Sequence, residues 1–252
     1  MNKDEVVIIM PAYNEQSGIR HTIEQLIVGG YHNIIVIDDC SKDDTCGRVR
    51  YLIYKYKEFN IILLGPEVNK GQGAALELGM RYVRDIMNIN GLYGYVNNNG
   101  EKWKYVVHFD SDGQHQVSDI EKMIKPLENG FDITLGSRFI GRTIDMPRSR
   151  KFMLKIGIFV TWFISGIGLT DTHNGFRAMT LRTCRRLKIE LPRMAHASEI
   201  LDKVKSMKLK YKEVPVTILY NDEINENATA SWQGSLKILW SFIKWKFGIG
   251  RN

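Results

Sequence analysis

Hydrophobic positions fall into two registers along the first 136 residues. Apolar runs at 6–10, 34–37, 61–64 and 105–109 have the length and β-branched content of strands buried on both faces. Between them apolar residues recur at helical spacing. One set is Ile19, Ile23, Leu26 and Ile27; a second is Val49, Leu52, Ile53 and Tyr56; a third is Ile120, Met123, Ile124 and Leu127. A longer helix is expected from about Gln72 to Ile89. Ser17 offers a helix N-cap, Gly29-Gly30 a stop, and Gly65-Pro66 closes the third strand. Residues 132–135 predict one more strand. Strand–helix alternation at this spacing predicts an α/β fold: a mostly parallel sheet, right-handed crossovers and helices on both faces.

Residues 91–103 are turn-rich and predict a surface excursion. After residue 136 the pattern loosens. An apolar helix is expected over 151–168, a strand over 174–180, a helix over 198–207 and a strand over 211–219. Pro215 inside the last one predicts an edge position. Residues 221–231 are polar, and a final amphipathic helix carries Trp240, Phe242, Trp245 and Phe247 among Lys237, Lys244 and Lys246. The expected organisation is one domain over 1–220, divided near 136, with an appendage over 221–252.

Composition adds exclusions. With 44% hydrophobic and 25% charged residues the chain is an ordinary globular protein, neither disordered nor fibrous. Three cysteines build no disulfide framework, and no Cys/His spacing matches a zinc site, so reduced cytosolic thiols are expected. The run at 6–10 is too short for a signal peptide, and the apolar stretch 156–169 falls short of the ~20 residues of a spanning helix. The chain is therefore expected in the cytoplasm. Charge is split unevenly: residues 1–135 carry 14 Lys and Arg against 19 Asp and Glu, residues 136–252 carry 21 against 9. An acidic half suits a metal ion and a basic half an anionic partner, although a solvated lysine-rich face has the same composition.

Polar residues gather where the parallel strands end, which is where such sheets bind ligands. Pro11-Ala12-Tyr13-Asn14-Glu15 follows the first strand, Asp38-Asp39 the second and Asp110-Ser111-Asp112-Gly113-Gln114-His115 the fourth. Two carboxylates two residues apart, in a turn that Gly113 allows to bend, converge on one point. Oxygen ligands with open positions suit Mg²⁺ or Mn²⁺ completed by substrate phosphates. A solvated turn is the plainer reading of Asp-x-Asp alone; its place after a buried strand favours a site. No dinucleotide fingerprint, Walker A sequence or Gly-x-Ser-x-Gly is present. The basic half lacks any nucleic-acid-binding signature, so no nucleic acid partner is expected.

Six segments occur in one order: 11–15, 37–45, Asn69-Lys70-Gly71-Gln-Gly-Ala-Ala75, 109–115, Gly136-Ser-Arg138 and Asn174-Gly-Phe-Arg-Ala178. Together, over roughly residues 5–220, they resemble glycosyltransferase family 2 with the GT-A fold, nearest to its dolichyl-phosphate mannosyltransferase-like, polyprenyl-phosphate branch. The resemblance implies a nucleotide-sugar donor bound by the 1–136 half, inversion at the anomeric carbon and an acceptor on the 137–220 half. By position, Pro11, Ala12, Tyr13, Glu15 and Ser111 frame the nucleotide. Asp39 meets base or ribose, with Lys70 and Gly71 beside it, and Asp38 is either a second contact or a capping group. Asp110, Asp112 and Gln114 hold the metal on the diphosphate.

The acceptor stays open between two classes. Arg138, Arg142, Arg148 and Arg150 cluster, and arginine forks match phosphate oxygens. The resemblance sets Arg138 and Arg150 toward the phosphates, with Arg148 as rival. That implies a polyprenyl phosphate at the inner membrane face, the aromatic and lysine-rich end resting on an anionic membrane or packing against the protein or a second subunit. The alternative is a sugar hydroxyl on a lipid-linked glycan, which needs a general base; Asp171, His196 and Glu199 are the candidates. Asp171 and Arg177 each also have the character of one half of an internal salt bridge, and His196 and Glu199 that of a capping pair. A catalytically dead homologue or a basic binding module is the non-enzymatic rival.

Overall fold

The computed structural model describes residues 1–89, 103–144, 168–172 and 174–220. The expected excursion at 91–103, the helix at 151–168, Arg148, Arg150 and the C-terminal appendage lie outside them, save residue 103 and the last residue of that helix. Among the described residues seven strands form one sheet: β1 (Val6–Ala12), β2 (Asn33–Asp38), β3 (Asn60–Leu64), β4 (Tyr105–His108), β5 (Ile133–Ile144), β6 (Arg177–Thr180) and β7 (Tyr211–Leu219). Their order is β3-β2-β1-β4-β6-β5-β7. The helices are α1 (Ile19–Val28), α2 (Thr45–Lys55), α3 (Gln72–Ile89), α4 (Asp119–Glu128), α5 (Leu181–Arg186) and α6 (His196–Ser206). None of the described helices is long and apolar enough to cross a membrane.

Every residue of β1 and β2 is buried, as their continuous apolar runs require. Alternate side chains serve two cores. Val6, Ile8, Met10, Ile34 and Val36 pack with Ile19, Ile23 and Leu26 of α1, Val49 and Leu52 of α2 and Met123 and Ile124 of α4. Val7, Ile9, Ile35 and Ile37 pack with Leu76, Met80 and Val83 of α3 and Ile200, Leu201 and Val204 of α6. Helices on both faces explain why these strands show no polar alternation.

One strand departs from the parallel expectation. β6 is antiparallel to both β4 and β5, whereas the other pairings are all parallel. The segment expected as a strand over 174–180 is a strand only from Arg177, and its reversal brings its first residues to the carboxyl end of β4, beside β5. β5 runs to Ile144, beyond the expected 132–135, because it pairs with β7 across a bulge between Ser137 and Arg142. β7 forms the sheet's outer edge, where Pro215 removes no ladder bond the sheet needs.

Candidate active site

The chain leaves β1 toward β2 on one side and resumes at β4 on the other, so the crevice opens between the ends of β1 and β4. The loop after β1 is laced to the loop after β2. Asn14 N donates to Ser41 Oγ at 2.9 Å and Lys42 N to Asn14 Oδ1 at 2.8 Å. Glu15 N donates to Thr45 Oγ1 at 2.8 Å. Tyr13 stands exposed over this mouth, while Ala12 is buried at the strand end.

Asp39 holds the third wall. Its Oδ1 accepts from Lys70 N at 2.8 Å, its Oδ2 from Gly71 N at 2.6 Å, and its carbonyl from Asn69 Nδ2 at 2.9 Å. Three residues expected around a nucleotide are thus one bonded unit. Asp38 instead caps its own turn, Oδ2 accepting from Ser41 N at 3.1 Å.

The turn after β4 is tied down at both ends. Ser111 Oγ donates to Pro11 O at 2.9 Å, and Thr22 Oγ1 to Ser111 O at 3.1 Å. Gly113 takes φ +76°, the left-handed conformation that bends the turn. Asp110 is gripped through both oxygens: Gln72 Nε2 donates to Oδ1 and His115 Nε2 to Oδ2, each at 2.9 Å. His115 packs between Phe109 and Phe176, and Gly175 leaves room for the carboxylate, since a Cβ there would stand 2.4 Å from Asp110 Oδ2. Asp112 Oδ1 accepts from Gln114 N at 3.0 Å.

This end of the molecule is short of positive charge. Burial, then Asp112, Asp110 and Asp43, push the Glu15 carboxyl up to about 7. Burial and the neighbouring Asp110 push Asp112 up to about 6. Burial works against the charged form of Asp110 too, but the His115 bond and charge, with Arg177, hold it below the usual carboxylate range. Among the described residues no three His, Cys, Asp or Glu side chains form a preassembled metal cage. The donor set nonetheless fits a hard dication: carboxylates raised by burial and mutual repulsion, in the pattern of Mg²⁺ or Mn²⁺ sites completed by substrate phosphates.

The acceptor-side candidates are placed differently. Arg138 and Asp171 form one buried ion pair, 8% and 3% exposed, so Asp171 is one half of an internal salt bridge. Arg138 Nε donates to Asp171 Oδ2 at 2.6 Å, Arg138 N to the same oxygen at 3.1 Å, and Nη1 to Tyr220 Oη at 2.7 Å. Glu199 is fully buried. Its oxygens accept from Glu190 N and Leu191 N at 2.7 and 2.8 Å, and Lys203 Nζ lies 2.7 Å away. His196 is 2% exposed, with Nδ1 bonded to Arg193 O at 2.8 Å. Glu199 therefore fastens the 187–193 backbone and is not set as a base over the crevice. Arg142 lies past the bulge of β5. Arg177 is buried beside His108, whose imidazole burial drives down to about 3 and keeps neutral.

Reading carboxylates alone misses the grip of Gln72 and His115 on Asp110. Both residues lie inside the motif segments; His115 adjoins the acidic turn in the chain, whereas Gln72 is 38 residues from Asp110 and only the fold brings it there.

Residues 7–187 match the family model described as Glycosyl transferase family 2. An uncharacterised protein of Methanocaldococcus jannaschii is 31% identical over 98% of this chain and 94% of its own length. A UDP-N-acetylglucosamine–dolichyl-phosphate N-acetylglucosaminyltransferase of Methanococcus voltae is 29% identical over 96% of each chain. Among solved structures, glucosyl-3-phosphoglycerate synthase from Mycobacterium tuberculosis, in complex with Mn²⁺, uridine diphosphate and phosphoglyceric acid, superposes with TM-score 0.65 at 16% identity. That match covers 98% of this chain and 80% of the other.

Proposed function

The chain belongs to glycosyl transferase family 2 and is a glycosyltransferase; from that premise we propose that it moves a sugar from a UDP- or GDP-linked donor to a polyprenyl phosphate, with inversion, at the cytoplasmic face of a membrane. The observation that carries this is the cation-poor cluster of Glu15, Asp110 and Asp112 at the mouth between β1 and β4. The dolichyl-phosphate acceptor of the Methanococcus voltae relative supports the acceptor class.

Asp39, with two of its roughly four lone-pair positions used by Lys70 and Gly71, keeps acceptor capacity for a ribose or base. Asp112 would hold a divalent ion, with Asp110 beside it and Gln114 as a third ligand; the Mn²⁺ of the Mycobacterium tuberculosis complex supports the metal class. Such an ion supplies Lewis-acid stabilisation of a departing nucleoside diphosphate. In the transfer an acceptor phosphate oxygen forms the bond to the anomeric carbon. The bond from that carbon to the diphosphate breaks, and the nucleoside diphosphate leaves with the electron pair. A single displacement inverts the centre.

The engagement of Asp171, His196 and Glu199 supports the phosphate acceptor over a sugar hydroxyl. An ionised phosphate has no proton to surrender, so none of the three is required as a base. Arg138 spends Nε and Nη1 inside the protein and keeps Nη2 for an acceptor phosphate. The C-terminal aromatics and lysines suit an anionic membrane surface.

The test is transfer by the purified full chain from a panel of UDP- and GDP-sugars to a short polyprenyl phosphate, with Mn²⁺, Mg²⁺ or chelator, the product read by mass and anomeric configuration. A metal-dependent, inverted lipid-phosphate sugar is expected. Transfer only to sugar hydroxyls, or undiminished transfer under chelation, would sink the corresponding part of the reading.

A further inference from the structure

The segment between α5 and α6, residues 187–195, is strapped by its backbone onto the donor side of the crevice. Ile189 N donates to Glu77 Oε2 at 2.7 Å, Glu190 N and Leu191 N to Glu199, and Ala74 N in the first turn of α3 to Pro192 O at 2.9 Å. Two glycines permit the approach. A Cβ on Gly73 would stand 2.1 Å from Leu191 O, and one on Gly71 2.8 Å from Arg193 Cγ. The strap thus lies directly on the loop whose amides hold Asp39.

Folding accounts for the strap's backbone and for its buried side chains Leu187, Ile189 and Ala195. It does not account for Arg193. That side chain is exposed, and no carboxylate among the described residues pairs with it, although Arg84, Arg138 and Lys203 each have one. Its stem rests against Gly71, next to the exposed Lys70, at the rim of an acid-rich mouth. A cation held there by a fixed backbone balances an anion that enters the site, and a guanidinium fork matches phosphate oxygens in pairs.

We propose that Arg193 is a donor-binding residue whose guanidinium bonds the diphosphate of the nucleotide sugar, a contact that strengthens as the leaving diphosphate gains charge. This rests on the donor reading given above. Calorimetric titration of the full chain with UDP, GDP, UMP and GMP in the presence of Mn²⁺ tests it in wild type, Arg193→Ala and Arg193→Lys. Diphosphate affinity should fall about 10-fold or more in Arg193→Ala, since hydrogen bonds to charged groups are among the stronger ones, with Arg193→Lys between. Monophosphate affinity should change less, and the melting temperature without nucleotide should hold, because the strap's anchors are backbone. Should Arg193→Ala melt lower, Arg193→Lys alone decides, by diphosphate affinity at unchanged melting temperature. Equal diphosphate affinity in variant and wild type, or an equal fall for monophosphates, overturns the assignment. If wild type binds neither UDP nor GDP, the donor reading itself fails, a result distinct from failure of the arginine.

Discussion

Two groups of carboxylates in this molecule are treated in opposite ways. Glu15 and Asp112 gather beside Asp110 at the ends of β1 and β4 and are pushed up to about 7 and about 6, while Asp110 itself is held by Gln72 and His115. Asp171 and Glu199 are buried more deeply, yet each meets a cation and backbone amides. A buried charge saturated by its own protein serves the fold. Like charges collected without such partners are a cost that a ligand removes, and that difference separates site from scaffold better than burial does.

The sharpest way to break the comparison is to unpair the scaffold. Asp171→Ala leaves Arg138 buried without its partner and should cost about 3–5 kcal/mol of stability, read by denaturant melts. Replacing both residues by apolar ones of similar volume should recover most of that loss. A loss under ~1 kcal/mol in Asp171→Ala would mean the pair is not structural.

Next in size is Asp112→Asn. Turnover at saturating Mn²⁺ should drop by ~10²-fold or more, as when a main electrostatic stabiliser is removed. The melting temperature of the metal-free protein should stay level or rise, because one of the mutually repelling carboxylates is gone. Wild-type turnover in this variant would end the metal assignment.

The smallest effect is a pH slope. A carboxyl whose folded pKa lies above its unfolded one favours folding while protonated. For Glu15 that contribution is complete below the unfolded value of about 4.3 and is lost as pH rises through about 7. Metal-free protein should therefore lose melting temperature between about pH 5 and 8, and Glu15→Gln should flatten the curve. Parallel curves would show that Glu15 carries no strain.

Much of this was legible in the chain. Continuous apolar runs announced strands covered on both faces, Pro215 its edge, and the acidic turn after Phe109 its position at a strand end. What was not legible is pairing at long separation. Nothing local to Arg138 or Asp171 says that they meet, because the bond joins β5 to a segment 33 residues later in the chain. Glu199 read as a base for the same reason: its amide partners at 190 and 191 are supplied by a loop whose path no periodicity encodes. The direction of β6 is likewise invisible, since a four-residue strand, Arg177–Thr180, reads the same in either sense.

That reversed strand also dictates an order of assembly. β1, β2, β3 and β4 can dock against one another as soon as residue 108 has been synthesised, because the pairings among them use no later residue. β5 emerges next and has no legitimate neighbour: its partners are β6 and β7, both still to come. Until Met179 is seated between Val106 and Ile133, β4 presents a bare edge beside a bare strand of the same direction. Direct β4–β5 pairing is then the natural misfolded state, and it would lock β6 out. Nascent chains truncated shortly after residue 144 should accordingly be the aggregation-prone lengths, and release of residues 177–180 the step that closes the sheet.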